Sequence, residues 1–135
     1  MVQKYIKGDI VMYDNKIHTI MDTLGLNNYE LSYISHPVHQ LELSGVPITS
    51  EILEKNGWKK EVMSRGVKNS HWVYTKPDIE EYGYFPIYIE KGIGDEFDVY
   101  PFTGNHVCTQ IAYIKYVHQL QNLLFGLNIN SEMEV

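Results

Sequence analysis

The chain has 135 residues, 44% of them hydrophobic and 21% charged, with a formal net charge of −6. That length suits one domain with a real core, and the composition excludes a disordered chain. No run approaches the ~18 apolar residues of a membrane helix, and acid is concentrated late, where residues 68–135 carry four Lys against nine Asp or Glu. Such a half repels phosphate backbones, which disfavours nonspecific nucleic-acid binding.

The N-terminus, Met1 to Asp9, mixes Lys4, Lys7 and Asp9 with isolated apolar residues, unlike a signal peptide. The lone Cys108 excludes an intramolecular disulfide framework and a Cys-based zinc site. Both features lead to the expectation of a cytoplasmic protein.

Taken in chain order, residues 1–46 read as a strand meander. Ile10-Val11-Met12-Tyr13 ends at the turn signal Asp14-Asn15, Lys16 to Ile20 resumes, and Gly25 with Asn27-Asn28 breaks the chain before Tyr29 to Ile34. Ile17 and Ile20 miss strict alternation by one residue, which suggests a bulge or a strand end. Closing the meander into a small SH3-like barrel would remove its exposed edges.

Pro47-Ile48-Thr49 leads into Ser50 to Asn56, where a hydroxyl caps the first free amides and Gly57 supplies the left-handed stop of a two-turn helix, with Trp58 locking its exit. Three strands are expected at His71–Lys76, Tyr84–Glu90 and Glu96–Phe102, forming an antiparallel sheet. From about Ile114 to Leu127, apolar residues at Ile114, Val117, Leu120, Leu123, Leu124 and Leu127 have the three-and-four spacing of a helix, with Gly126 and Asn128 able to stop it. This helix is expected to pack on the late sheet, and residues 129–135 to fray. The expected fold is α+β in a single domain, 1–135: strand-rich N-terminal half, short capped helix, antiparallel sheet and packed C-terminal helix.

Three islands, Gly8-Asp9-Ile10-Val11, Pro47-Ile48-Thr49 through Gly57-Trp58, and Ile114-Lys115-Tyr116-Val117-His118-Gln119-Leu120-Gln121-Asn122-Leu123, cover about a fifth of the chain and run through most of its length. Together they resemble a widespread family of small proteins encoded by tailed phages and mobile elements of anaerobic gut bacteria. The family's last helix usually continues into an aromatic-rich stretch with a Thr-Gly stop, where this chain has Leu124-Phe125-Gly126-Leu127-Asn128. The resemblance implies a mobile-element origin and residence in the host cytoplasm, and it implies no catalytic residue.

Residue chemistry favours bland roles. His36-Pro37-Val38-His39 has two imidazoles, but Pro37 keeps them off a helix face and no acid completes a ligand set, so they read as loop histidines bonded to backbone or water. Cys108 with His106 could form a nucleophile and base, yet a lone Cys beside Val107 reads as a small core residue. Gly92-Ile93-Gly94 lacks the third glycine of a phosphate cradle and is a turn. The carboxylates Asp78, Glu80, Glu81, Glu90, Asp95, Glu96 and Asp98 read as a solvated acidic face. His118, Gln119, Gln121 and Asn122 flank the stripe of the last helix, as amides reaching over its edge to backbone groups.

Strand parity sets Val73, Phe85, Ile87, Ile89, Phe97 and Val99 on one face and Trp72, Tyr74, Tyr84, Tyr88, Tyr100 and Phe102, with Glu90, Glu96 and Asp98, on the other. The second face is either covered by the first helix or the meander, or it is a recognition surface, since Tyr and Trp offer large contact area with polar tips. Trp72, Tyr74, Tyr88, Tyr100, Glu90 and Asp98 are therefore the candidate partner-binding residues, with no catalytic residue, metal or cofactor expected. The preferred function is a non-catalytic accessory protein binding a host or phage protein or another copy of itself. Two alternatives are a sequestering binder of a small nucleotide signal, with Lys59, Lys60 or Arg65 at the mouth of its cleft, and a small hydrolase.

Overall fold

The computed structural model describes residues 3–64, 70–76, 87–92, 94–101 and 112–135. Two five-stranded antiparallel sheets and two α-helices give an α+β, strand-rich fold. The chain divides into two compact units: Met1–Pro47 with Tyr116–Ser131, and Ile48–Lys115 with Glu132–Val135.

In the first unit, β1 (Ile10–Tyr13) and β2 (Lys16–Leu24) form a hairpin over the two-residue turn Asp14-Asn15. Both turn residues are left-handed, with φ of 50° and 61°, the mirror-image turn whose twist matches its strands. β3 (Asn28–Leu31) pairs with β2, and the register slips between Ile20 and Asp22, beyond the Ile17–Ile20 stretch, whose pairing with β1 is regular through Thr19. β4 (Val38–His39) follows, then a 3-10 turn at Gln40–Glu42, and β5 (Ser44–Gly45) returns to pair with β1. The order β4-β3-β2-β1-β5 has the connectivity of a small SH3-like barrel. Tyr5, Val11, Ile20, Tyr29, Leu31, Val38 and Leu43 fill its interior.

The C-terminal helix α2 (Val117–Gly126) belongs to this unit. Its start is later than the apolar spacing suggests: Ile114 is in a strand, and the Gln119 side chain accepts the Tyr116 amide at 3.0 Å, closing the first turn. It stops at Asn128, whose φ of 62° lets the Asn128 and Ile129 amides reach back to the Phe125 and Leu124 carbonyls. Whereas the sequence suggested docking on the late sheet, the helix packs against β1: Gln121 Oε1 accepts the Ile10 amide at 3.0 Å and Gln121 Nε2 donates to Gly8 O at 3.2 Å. The Tyr116 ring lies against Gly45, where any Cβ would collide with it.

In the second unit, Thr49 Oγ1 accepts the Ile52 amide to cap α1 (Ser50–Lys55). Gly57, at φ 88°, lets Trp58 N donate to Leu53 O at 3.0 Å, and Trp58 is buried. Strands β6 (Lys59–Ser64), β7 (Ser70–Thr75), β8 (Ile87–Lys91), β9 (Phe97–Pro101) and β10 (Ala112–Ile114) form a sheet in the order β10-β9-β8-β7-β6. Two of these, β6 and β10, were not expected from sequence. The last residues, expected to fray, are tied to α1, where Asn56 bonds both backbone groups of Glu134. No helix among the described residues is long and apolar enough to cross a membrane.

Leu120 and Leu124 are wholly buried on α2, so Leu120→Ala and Leu124→Ala are each expected to cost about 2–5 kcal/mol in chemical denaturation. Near-neutral results for both would mean that α2 is not part of a core.

Candidate functional site

The six candidate residues lie on β7, β8 and β9, and the register of these strands sorts them. Between β8 and β9 residues of like parity oppose, setting Tyr88 against Tyr100 and Glu90 against Asp98. Between β7 and β8 the pairing joins unlike parities: Val73 opposes Glu90, Tyr74 opposes Ile89 and Thr75 opposes Tyr88. Directly opposed residues of an antiparallel pair share a face. Tyr74 therefore leaves the aromatic and acidic face and joins the side of Ile87, Ile89 and Val99, while Val73 moves the other way. Parity is fixed within a strand, but the connection between strands decides which parities meet.

Tyr74 confirms the exchange. It is only 3% exposed, and its hydroxyl donates to Ser50 Oγ at 2.7 Å, tying the sheet to the first turn of α1. It is a core tyrosine and no platform for a stacked base. Trp72 keeps its strand position opposite Val62, and its side chain lies outside the described residues.

Two rungs remain on the other face. One runs Glu61, Val73, Glu90, Asp98 and Tyr113, and the next runs Lys59, Thr75, Tyr88 and Tyr100. Tyr88, Glu90, Asp98 and Tyr100 are half-buried, Glu61 and Tyr113 exposed. Gly92 has room for no larger residue without pressing on the Asp98 carboxylate, since its Cβ would stand 3.2 Å from Oδ2. Two carboxylates directly opposed on neighbouring strands repel, and a cation brought to that rung is favoured by both. Sequence reasoning missed Tyr113 and Glu61 because it missed their strands.

The remaining candidates take the following positions. His39 Nδ1 accepts the Leu41 amide at 3.1 Å and caps the 3-10 turn, and His36 Nδ1 lies 3.1 Å from Pro37 O. Both are engaged with backbone, His36 in a loop and His39 at the end of β4. Among the described residues no three His, Cys, Asp or Glu side chains come together to hold a metal ion. His106, Cys108, Asp78, Glu80, Glu81, Tyr84, Phe85, Arg65 and Phe102 lie outside the described residues, as does Ile93 of the glycine turn.

A cleft of about 330 Å³ in the first unit is lined by Tyr13, Ile17, His18 and Tyr33, among others. Tyr33 is 99% exposed at a left-handed φ of 63°, and sequence patterning gave no sign of it.

Two titratable groups sit deep in the first unit. Asp9 accepts the Ile6 amide through Oδ2 at 2.9 Å, and burial raises its pKa against the lowering effect of that bond and of Asn122. His118 is 5% exposed, edge-on to Tyr5 at 5.1 Å and stacked on Tyr116 at 5.8 Å. Burial, with Lys4 adding to it, lowers its pKa to about 4. The folded state thus holds His118 neutral, while the unfolded chain takes up a proton near pH 6.5. Stability carried by this group is intact above about pH 6.5 and is lost as pH falls toward 4. Asp9 acts in the opposite direction, because acid neutralises a carboxylate that burial penalises.

Denaturant unfolding is therefore expected to show a loss of about 1–2 kcal/mol from His118 between pH 7 and pH 5, and His118→Gln is expected to flatten that slope. An unchanged slope in the variant would assign the acid sensitivity elsewhere. No family model, curated protein or solved structure matches this chain, so the reading of its surface rests on the geometry above.

Proposed function

We propose that the protein is a non-catalytic binding module of a phage or mobile element, which takes a host or phage protein, or a second copy of itself, on the Tyr88–Tyr100 and Glu90–Asp98 rungs. The observation that carries this reading is the cross-strand pairing of two half-buried tyrosines next to two half-buried carboxylates. Aromatic rings supply contact area and a face for cations, and opposed acids supply charge, so the chemistry suits a partner that presents Arg or Lys. The net charge of −6 supports the same sign of partner, because complementary fields speed encounter. The resemblance in the Gly8-Asp9-Ile10-Val11 and Ile114–Leu123 islands supports the mobile-element origin and the host cytoplasm as its place of action.

The test is capture from bacterial lysate by tagged protein, with mass spectrometry of the eluate and small-molecule extraction of the same sample. Tyr88→Ala and Tyr100→Ala are each expected to weaken capture by about 1–3 kcal/mol, and Glu90→Gln and Asp98→Asn to weaken it chiefly at low salt. Melting temperatures are recorded on the same variants. Capture that survives all four changes but fails with Tyr33→Ala would move the binding surface to the cleft beside β1 and β2. A nucleotide recovered in the extract in place of a protein would favour the sequestering reading.

A further inference from the structure

Asn56 is the residue after the last turn of α1, and its amide is fully engaged. Nδ2 donates to Ile52 O at 2.7 Å, which fixes the plane of the side chain on the helix end. The same nitrogen donates to Glu134 O at 2.7 Å, and Oδ1 accepts the Glu134 amide at 2.8 Å. Asn56 thus grips the N–H and C=O of one residue, as a neighbouring strand would. Exposure alternates along the gripped segment: Ser131, Met133 and Val135 are half-buried, while Glu132 and Glu134 are exposed. Lys55 Nζ reaches Val135 O at 3.3 Å, at the exposed limit of the contact.

This arrangement reads backbone, with alternate side chains turned inward. Its grip depends on no side chain of Glu134, so any extended segment with an inward apolar residue on either side of the gripped one meets the same requirements. Exposed bonds of this kind open far more readily than a core.

We propose that the C-terminal end of α1 is a docking site for an extended peptide segment with apolar residues at alternate positions, occupied here by the chain's own Glu132–Val135 and opened to a partner of that pattern when that segment lets go. It rests on the binding-module reading and adds a second, backbone-reading surface to it. The own tail acts as a tethered competitor, so a segment offered from outside binds weakly until the tail is released.

The experiment uses a fluorescein-labelled synthetic peptide of residues 130–135 and follows its polarisation with the full-length protein. Glu134→Pro removes the amide that Asn56 Oδ1 accepts and so loosens the resident tail. This variant is expected to bind the peptide about tenfold more tightly than the wild type, and adding Asn56→Ala to it is expected to abolish that gain. A peptide N-methylated at the position of Glu134 tests the same bond with the protein held constant, and it is expected to bind the Glu134→Pro protein at least about tenfold more weakly than the parent peptide, since it cannot donate to Asn56. Equal affinity of the wild type and Glu134→Pro, or of the parent and methylated peptides, would overturn the proposal. Neither result touches Tyr88, Tyr100, Glu90 or Asp98, so capture through those residues stands or falls separately.

Discussion

The amide of Gln121 joins residues more than a hundred positions apart, donating to Gly8 O and accepting from Ile10 N. β1 is the strand on which the first sheet turns, because it pairs with both β2 and β5. A buried backbone group without a partner costs roughly what a lost hydrogen bond costs, and the turn Gly8-Asp9 leaves such groups at the start of β1. Gln121 engages them from the opposite end of the sequence, and Asp9 completes the turn through the Ile6 amide. The first unit therefore depends on a contact that closes only after the whole of Ile48–Lys115 has been made, and that long closure is expected to make it the slower part to form.

Much of this was legible. The Asp14-Asn15 turn, the Thr49 cap and the Gly57 stop all follow from local chemistry that later packing does not overrule. The amides of Gln119 and Gln121 also do what their place beside the apolar stripe of α2 suggests. What sequence could not supply were facts that depend on distant pairing. β6 opens with Lys59, Lys60 and Glu61, all exposed, and this run hides the alternation by which a strand is read. The same charges blunt an outer strand of its sheet against pairing with another chain, so the feature that concealed the strand is one reason it can stand at an edge. Ile114 fits the helical stripe by spacing alone, yet it pairs with Phe97 in β10, and the extended backbone of Tyr116 interrupts the pattern before α2 begins.

The face of the late sheet illustrates a sharper limit. Alternation within β7 was read correctly, and so was alternation within β8 and β9, but their relative phase is a property of register. One unlike pairing, Val73 with Glu90, set Tyr74 on the side of Ile89 and Val73 on the side of Glu90, and both are buried there. The chemistry agrees with the exchange, because a buried tyrosine needs a partner for its hydroxyl and Tyr74 has Ser50, whereas Val73 needs none wherever it lies.

That sorting separates two demands on one sheet. Ile87, Ile89, Phe97, Val99, Ile114 and Tyr74 bury the surface that folding requires, and they lie on one side of it. On the other side the Tyr88–Tyr100 and Glu90–Asp98 pairs remain half-buried, a degree of exposure at which a side chain contributes modestly to stability and still meets a partner. A binding surface assembled from such half-buried residues can change by substitution with modest loss of stability, since the fully buried side chains, Val73 on this face included, hold the sheet. Tyr74 has no such freedom, because removing its ring opens a cavity and strands the Ser50 hydroxyl. The register thus separates Tyr88, Glu90, Asp98 and Tyr100, which can vary with the partner, from Tyr74, which the fold must keep.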